Sequence, residues 1–192
     1  MLTAHIPPPA ALSLLEAETQ KIDFPMASDS LTGTLLRMLV TSKPGGHFLE
    51  LGTGTGIGTS WLVDGMDANA RLFTVERSAT FSEIARRHLG SDPRVTFYQG
   101  DGAEFILAQS PASFDLIFAD TPPGKFYLFD ETLALLKPGG IYVIDDLDPR
   151  PTWDEGHETK VEALLATLGQ RSDLRLCHLN WASGLLLATK VV

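Results

Sequence analysis

Three aspartates stand at the ends of two apolar runs, where buried strands would leave the core. Residues 116–119 run into Asp120, and residues 141–144 run into Asp145 and Asp146. In a sheet of parallel strands the carboxyl ends meet at one edge, and ligands bind in the crevice there. We therefore expect the three carboxylates to project into one binding crevice.

These carboxylates are hard oxygen ligands of the kind that Mg²⁺, Mn²⁺ and Ca²⁺ take in proteins. Without a cation they would repel one another, and some would have to take up a proton. The pattern predicts a divalent-cation site at Asp120, Asp145 and Asp146, with water and substrate at the remaining positions. The alternative is that they are strand-end or turn residues around an empty crevice, since Asp148 and Pro149 follow the pair.

A glycine-rich segment follows the first predicted strand, residues 47–51. Gly52, Gly54 and Gly56 stand there, and glycine permits a tight turn and a close approach of the backbone to a ligand. The spacing is G-x-G-x-G and not the dinucleotide fingerprint G-x-G-x-x-G, because Ile57 occupies the sixth position. This spacing argues against a nicotinamide dinucleotide.

Acids also follow the next two predicted strands. Glu76 ends residues 71–76, where a carboxylate can accept hydrogen bonds from both hydroxyls of a ribose. Asp101, beyond residues 94–99, is placed to meet an adenine amino group. The alternative is a plain turn with solvated acids at strand ends, but the combination of the turn and two acids favours a nucleoside pocket.

The composition is that of one globular domain. The 192 residues are 44% hydrophobic and 20% charged, which is ordinary for a folded protein of this length. The net charge is −9 without a basic cluster, which argues against nucleic-acid binding and favours a small polar molecule or a cation. The single Cys177 excludes an intrachain disulfide. No signal peptide or membrane span of ~20 apolar residues is visible, so we expect a cytoplasmic protein without membrane contact.

Two helices are predicted ahead of the glycine-rich segment. They cover residues 10–21 and 30–41, and the second places Leu31, Met38 and neighbouring leucines on one buried face. Beyond them, strands alternate with helices. Predicted strands cover residues 47–51, 71–76, 94–99, 114–119 and 140–145, and predicted helices cover residues 79–89, 102–110, 128–136 and 157–169.

This alternation predicts an α/β fold with a doubly wound, mostly parallel sheet. The last two runs, residues 174–181 and 184–192, are separated by two residues and predict a C-terminal antiparallel hairpin. We assign Trp61 and Trp181 to the core.

From about residue 27 to the last strand, the chain resembles the class I S-adenosylmethionine-dependent methyltransferases. It is most similar to the cation-dependent O-methyltransferases that include catechol and caffeoyl-coenzyme A O-methyltransferases. The motifs that carry the resemblance are "FLELGTGTGIG", "LFTVE", "YQGDGAEF", "FDLIFAD" and "LLKPGGIYVIDDL". The resemblance implies a Rossmann-like sheet of seven strands in a single domain. Residues 1–44 would then cover the cofactor and substrate side, and residues 45–192 would form the core.

The resemblance also implies that S-adenosylmethionine is the cofactor and assigns residues to it. The residues expected around its methionine part, ribose and adenine are Gly52, Thr53, Gly54, Gly56, Glu76, Asp101, Gly102 and Ala103, with Glu50, Arg77 and Asp120 completing the set. Ser28 and Asp29 are weaker candidates in the segment that covers the cofactor. The resemblance further suggests a homodimer.

Two features depart from the family pattern. The family has Asp-Asn after the fifth strand, whereas this chain has Asp145-Asp146, which adds a negative charge. The family has Asp-x-x-Lys after the fourth strand, whereas "DTPPGK" places Lys125 two residues farther along. If residues 122–124 loop out, Lys125 returns to the site as general base beside Asp120. Otherwise it is a solvated loop lysine.

We therefore predict an O-methyltransferase, assisted by a divalent cation, that methylates a hydroxyl of a small molecule. The sulfonium already activates the methyl group, so the protein mainly positions it, while a cation would orient the acceptor hydroxyl and lower its pKa. Residues 148–160 would wall the acceptor pocket. Trp153 could stack there on a flat ring, and His157 is an alternative proton acceptor.

Three other functions stay open from the sequence. The first is a metal-independent methyltransferase of the same fold with an oxygen or nitrogen acceptor, which the altered lysine spacing and the second aspartate favour. The others are an NAD-dependent oxidoreductase and a catalytically silent cofactor-binding protein.

Overall fold

The structure of the protein, a computed structural model, describes residues 6–149, 153 and 155–191. Within them the strands are β1 His47–Leu51, β2 Arg71–Glu76, β3 Val95–Gln99, β4 Phe114–Ala119, β5 Leu136–Ile144, β6 Leu174–Leu179 and β7 Leu185–Lys190. They form one sheet in the order β3-β2-β1-β4-β5-β7-β6. Strand β7 is antiparallel to β5 and to β6, and the other neighbours are parallel.

Helices connect the strands and cover the sheet. They are α1 Leu12–Lys21, α2 Ser30–Thr41, α3 Ile57–Gly65, α4 Ala79–Leu89, α5 Gly102–Ala108, α6 Phe129–Leu135 and α7 His157–Gly169. Helix α2 begins at Asp29, whose carboxylate accepts a hydrogen bond from the backbone N of Leu31 at 2.7 Å, as a helix cap does. Within the described ranges, no helix combines the length and the apolar composition that a bilayer crossing requires.

Alternate residues of β4 pack on opposite faces of the sheet. Leu116 and Phe118 lie in one apolar cluster with Leu62 of α3, whereas Ile117 lies in another with Leu133 of α6. Both faces are therefore covered by helices, which explains why residues 116–119 form a continuous apolar run. The predicted doubly wound, mostly parallel sheet with its antiparallel hairpin is confirmed.

The predicted buried face of α2 is wrong in part. Leu31 is 48% exposed and Met38 is 59% exposed, while Leu36 is fully buried. The helix approaches α3 through Gly33, where an added Cβ would lie 2.2 Å from the ring of Trp61. This close contact rotates the helix away from the face that its leucine spacing indicates.

The two tryptophans assigned to the core differ in placement. Trp61 is 2% exposed, as predicted, but Trp181 is 44% exposed, so its assignment to the core is wrong. Its backbone O accepts a hydrogen bond from the N of Gly184 at 2.9 Å, which places it in the connection between β6 and β7. The hairpin connection is therefore longer than the two residues that the sequence pattern indicates.

Candidate functional site

One cavity of about 590 Å³ lies at the carboxyl ends of the parallel strands. The predicted site residues that line it are Gly52, Thr53, Gly54, Glu76, Arg77, Asp101, Gly102, Asp120, Lys125, Asp145 and Asp146, together with Ser28, Asp29, Trp153 and His157. The cavity thus joins the glycine-rich segment to the aspartates. Two regions that are far apart along the chain belong to one site.

The glycine-rich turn requires glycine at Gly52. Its φ is +105°, a left-handed conformation that costs other residues free energy. A Cβ there would lie 2.6 Å from Cγ2 of Thr121 and 2.9 Å from the backbone O of Asp120. Since a side chain would collide with the chain leaving β4, the glycine lets β1 and β4 end side by side at the cavity wall.

Glu76 holds this turn in place. Its Oε2 accepts a hydrogen bond from the backbone N of Gly54 at 2.9 Å, and its Oε1 accepts one from the backbone N of Ser78 at 2.8 Å. A carboxylate has about four acceptor positions, so two remain for the hydroxyls of a ribose. The carboxylate of Asp101 accepts from the backbone N of Ala103 at 2.7 Å and likewise keeps acceptor capacity toward the cavity. These groups fit a nucleoside.

Three residues predicted to contact the cofactor are not among those that line the cavity: Glu50, Gly56 and Ala103. Gly56 has φ of +98°, and a Cβ there would lie 3.0 Å from the Cβ of Ala85, so this glycine brings α3 close to α4. Ala103 takes part through its backbone N, which donates a hydrogen bond to the carboxylate of Asp101, the N-cap of α5. Glu50 is fully buried beneath the turn. Their predicted cofactor contacts have no support in this placement.

Glu50 belongs to a buried network of hydroxyls. Its Oε2 accepts hydrogen bonds from Oγ1 of Thr59 at 2.5 Å and from Oγ1 of Thr74 at 2.6 Å, and Thr74 also contacts Oγ1 of Thr53 at 2.5 Å. Among the described atoms, Oε1 has no partner. Burial raises the pKa of Glu50 to about 7, and Glu76 adds to this effect, while the two threonines oppose it. Glu50 therefore supports the glycine turn from below.

The segment "DTPPGK" folds into a turn that brings Lys125 to the aspartates. The backbone O of Pro122 accepts hydrogen bonds from the N of Lys125 at 3.2 Å and from the N of Phe126 at 2.8 Å. The hydroxyl of Tyr142 in β5 donates to the backbone O of Gly124. Lys125 is 3% exposed and lines the cavity. The turn accommodates the two additional residues, so Lys125 still reaches the cavity.

Two of the aspartates accept hydrogen bonds from serines. Oδ2 of Asp120 accepts from Oγ of Ser28 at 3.2 Å. Oδ1 of Asp145 accepts from Oγ of Ser183 and from the backbone N of Asp146, the latter at 2.7 Å. Burial raises the pKa of Asp120 well above its ordinary value and also raises the pKa of Asp145. Ser183 is not among the residues predicted for the site, and it reaches the site because the turn before β7 lies beside the end of β5.

Asp146 connects the acidic cluster to an aromatic wall. Its φ is +63°, and its Oδ1 accepts a hydrogen bond from Nε1 of Trp153 at 2.8 Å. Oδ2 lies 3.5 Å from Nε2 of His157. The imidazole stacks on Trp153 with ring centroids 4.3 Å apart and meets Phe126 edge-on at 5.1 Å. Flat rings and a histidine therefore stand beside the carboxylates.

Lys125 lines the same cavity as this cluster. Its Nζ donates to the backbone O of Asp146 at 3.4 Å and lies 4.9 Å from the ring centroid of Phe126. Burial lowers the pKa of Lys125, while the carboxylates of Asp120, Asp146 and Asp145 act in the opposite direction. In turn, the positive charge of Lys125 opposes the rise of the pKa of Asp120 and of Asp145.

The predicted metal ligands do not form a metal site in this arrangement. Among the residues that the structure describes, no group of three or more His, Cys, Asp or Glu side chains is arranged to hold an ion. Asp120, Asp145 and Asp146 accept hydrogen bonds from protein donors, and Lys125 lines the same cavity. Binding of a divalent cation stays a prediction without support from the geometry.

Known proteins match the central part of this chain. Residues 49–147 match the family model described as "Methyltransferase domain". A protein of Mycobacterium avium, whose name describes it as a candidate O-methyltransferase, is 31% identical over 118 residues, which are 58% of this chain and 53% of that protein. A catechol O-methyltransferase of Niastella koreensis is 29% identical over 123 residues, 60% of this chain and 55% of its own. The chain thus spans about half the length of these curated relatives.

Solved structures share the fold over nearly the whole chain. The O-methyltransferase TomG from Streptomyces achromogenes, in complex with S-adenosylmethionine, superposes with a TM-score of 0.84 at 24% identity and covers 99% of this chain and 93% of its own. An O-methyltransferase from Bacillus cereus, in complex with S-adenosylhomocysteine, gives 0.84 at 21% identity over 97% and 93%. At these identities the likeness shows a common fold.

Proposed function

The chain belongs to the methyltransferase domain family, and on this premise we propose that it transfers a methyl group from S-adenosylmethionine to a hydroxyl oxygen of a small molecule. The observation that carries the proposal is the single cavity that joins the Glu76–Asp101 end to the Asp120–Lys125 end. One end fits a nucleoside, and the other presents charged and aromatic groups to an acceptor. The names of the relatives, O-methyltransferases among them, support oxygen as the acceptor atom.

Each end of the cavity has a separate task. Bound S-adenosylmethionine supplies a methyl group on a cationic sulfonium, which an oxygen nucleophile can take without further activation of the methyl group. Glu76 accepts the ribose hydroxyls, and the Gly52–Gly54 turn brings the backbone against the ligand. The work left to the chain is to orient the acceptor and to take its proton.

His157 is the proton acceptor in this proposal. A general base has to reach the hydroxyl in a plausible substrate pose, and His157 lines the cavity with Oδ2 of Asp146 3.5 Å from its Nε2. The carboxylate of Asp146 orients the ring. Lys125, the base expected from the sequence, is the second candidate, since burial lowers its pKa although the three carboxylates oppose this effect. Trp153 provides a flat surface for the acceptor.

Assistance by a divalent cation, predicted from the sequence, is not part of this mechanism. The arrangement favours the metal-independent alternative, since protein hydrogen-bond donors engage the three carboxylates and the described residues hold no group of three or more candidate metal ligands. The cytoplasmic location and the homodimer stay predictions, and contact with nucleic acid or a membrane has no role in the proposal.

Calorimetry tests whether the protein binds the cofactor. We expect the wild-type protein to bind S-adenosylhomocysteine and not NAD, and Glu76→Gln to weaken that binding at least tenfold. Glu83→Gln, on the exposed side of α4, is the matched control and should bind as the wild type does. Binding of NAD in preference to S-adenosylhomocysteine would contradict the proposal.

Methyl transfer to a hydroxyl oxygen is tested with a panel of catechols, phenols and aliphatic alcohols. Amines are the contrasting class of acceptors. We expect labelled methyl groups to appear on oxygen, at a rate that EDTA does not change. Methylation of amines alone would reject the oxygen acceptor. Loss of turnover in EDTA, restored by Mg²⁺ or Mn²⁺, would restore the cation-dependent mechanism.

A further inference from the structure

We propose that the acceptor is a hydroxylated aromatic carboxylate, and that Lys160 selects it by pairing with the carboxylate at the outer end of the cavity. The proposal rests on the proposed function and narrows its acceptor to one chemical class. Lys160 is then a specificity-determining residue, while the hydroxyl that takes the methyl group lies at the inner end of the cavity.

The acceptor end of the cavity changes from buried acids to an exposed base. Asp145 is 3% exposed, the side chain of His157 is 17% exposed, and Lys160, which lines the same cavity, is fully in the exposed class. A carboxylate of the acceptor would lose its water at the inner end and would meet like charge there. At the outer end it keeps contact with water and meets an ammonium. The charges thus favour one orientation of the acceptor, with its carboxylate outward.

An aromatic wall connects these two ends. The imidazole of His157 stacks on Trp153 with ring centroids 4.3 Å apart and meets Phe126 edge-on at 5.1 Å. Trp153 contacts Asp146 through its Nε1, whereas the ring centroid of Phe126 lies 6.0 Å from Nζ of Lys160. Aromatic side chains favour contact with another flat ring. An aromatic acceptor can therefore lie along this wall, from the acids to the ammonium.

Helix α7 sets the distance between the proposed proton acceptor and the ammonium. His157 is the first residue of the helix, and Lys160 follows three positions later, so the two lie on one face about 4.5 Å apart along the axis. One turn farther on, Val161 and Leu164 are buried and anchor the helix to the core. Since His157 and Lys160 both line the cavity, a single ring can place its hydroxyl at the first and its carboxylate at the second.

The ammonium of Lys160 is available to a ligand. Among the residues that the structure describes, it forms no salt bridge, and a lysine ammonium has three hydrogen-bond donors. An anion can thus pair with it without displacing a carboxylate among those residues. The net charge of the chain is −9, which gives no general attraction for anions. A preference for a carboxylate would therefore have a local cause.

Calorimetric titration with a matched pair of ligands tests this assignment. Protocatechuate and its neutral amide share the ring and both hydroxyls and differ in charge. We expect the protein saturated with S-adenosylhomocysteine to bind protocatechuate at least about threefold more tightly than the amide, as an exposed ion pair allows. Lys160→Gln should abolish this preference and Lys160→Arg should keep it. Salt at about 1 M should weaken it, because exposed charges are screened.

Lys21→Gln is the matched control, since Lys21 is an exposed lysine of α1 that is not among the residues lining the cavity. This variant should keep the preference of the wild type. Equal binding of the two ligands by the wild type, tighter binding of the amide, or no detectable binding of either would overturn the proposal. A preference that persists in Lys160→Gln would overturn it as well.

The same titrations without S-adenosylhomocysteine separate this proposal from the proposed function. A protein that does not bind S-adenosylhomocysteine would contradict the proposed function. The difference between protocatechuate and its amide in the free protein would still test the role of Lys160, because it does not depend on the cofactor or on turnover.

Discussion

Nε1 of Trp153 donates a hydrogen bond of 2.8 Å to Oδ1 of Asp146, which joins the aromatic wall of the cavity to its acidic cluster. A hydrogen bond to a charged group contributes roughly 1.5–3 kcal/mol. We expect Trp153→Phe, which keeps a flat ring without the donor, to lower kcat/KM at least about tenfold. The effect should fall mainly on the KM of the acceptor, measured in steady-state methyl transfer.

Trp181→Phe is the matched control for this change. Trp181 is 44% exposed and does not line the cavity, so its replacement should leave both constants unchanged. Equal losses in the two variants would show that Trp153 acts only through general packing.

Replacement of His157 by glutamine tests the proton acceptor. Glutamine is of similar size and can still contact Asp146, but it cannot take a proton at neutral pH. We expect kcat to fall by about 10²–10⁴, the usual contribution of a general base, while the affinity for S-adenosylhomocysteine is kept. His178→Gln, on the exposed strand β6, should have wild-type kcat. An unchanged kcat in His157→Gln would transfer the role of base to Lys125.

The fold could be predicted because its signals are local. Helix α4 covers the predicted residues 79–89 and α7 the predicted residues 157–169, since caps and apolar spacing act within a few turns. The buried face of α2 could not be predicted in the same way. Its rotation depends on the contact between Gly33 and Trp61, two residues on different helices.

Most residues of the site could be predicted from the sequence, but the position of Lys125 among them could not. Strand ends placed Glu76, Asp101 and the aspartates at one edge, which follows from parallel pairing alone. The return of Lys125 depends on a hydrogen bond from Tyr142 to the turn, and the two are far apart along the sequence. This contact is not visible in the sequence, and three convergent carboxylates by themselves indicate a metal ion.

The buried carboxyl of Glu50 makes stability depend on pH. Its pKa is about 7 in the folded protein, above the value of about 4.3 in an unfolded chain. The folded state therefore binds the proton more tightly, so the stabilisation is complete below the unfolded pKa and is lost as the pH rises through 7. We expect the free energy of unfolding to fall by roughly 3 kcal/mol between pH 4.5 and pH 8 from this group, as measured by urea denaturation.

Glu50→Gln should flatten that part of the profile, because glutamine stays neutral while its amide oxygen can still accept from Thr59 and Thr74. The exposed Glu83→Gln is the control and should keep the wild-type slope. The same slope in Glu50→Gln as in the wild type would show that another group carries the pH dependence.

Gly56 is a packing residue, and a pair of alanine variants tests this against a role in cofactor binding. Both Gly56 and Gly139 have positive φ, +98° and +75°, so alanine at either position costs about 1–2 kcal/mol in backbone strain. A Cβ at Gly139 meets nothing within 4 Å, whereas one at Gly56 lies 3.0 Å from the Cβ of Ala85. We therefore expect Gly56→Ala to lose a further ~1 kcal/mol or more of unfolding free energy through overpacking between α3 and α4. The affinity for S-adenosylhomocysteine should stay unchanged in both folded variants, because neither side chain would enter the cavity. Equal stability losses, together with weakened binding in Gly56→Ala alone, would instead place Gly56 against the cofactor.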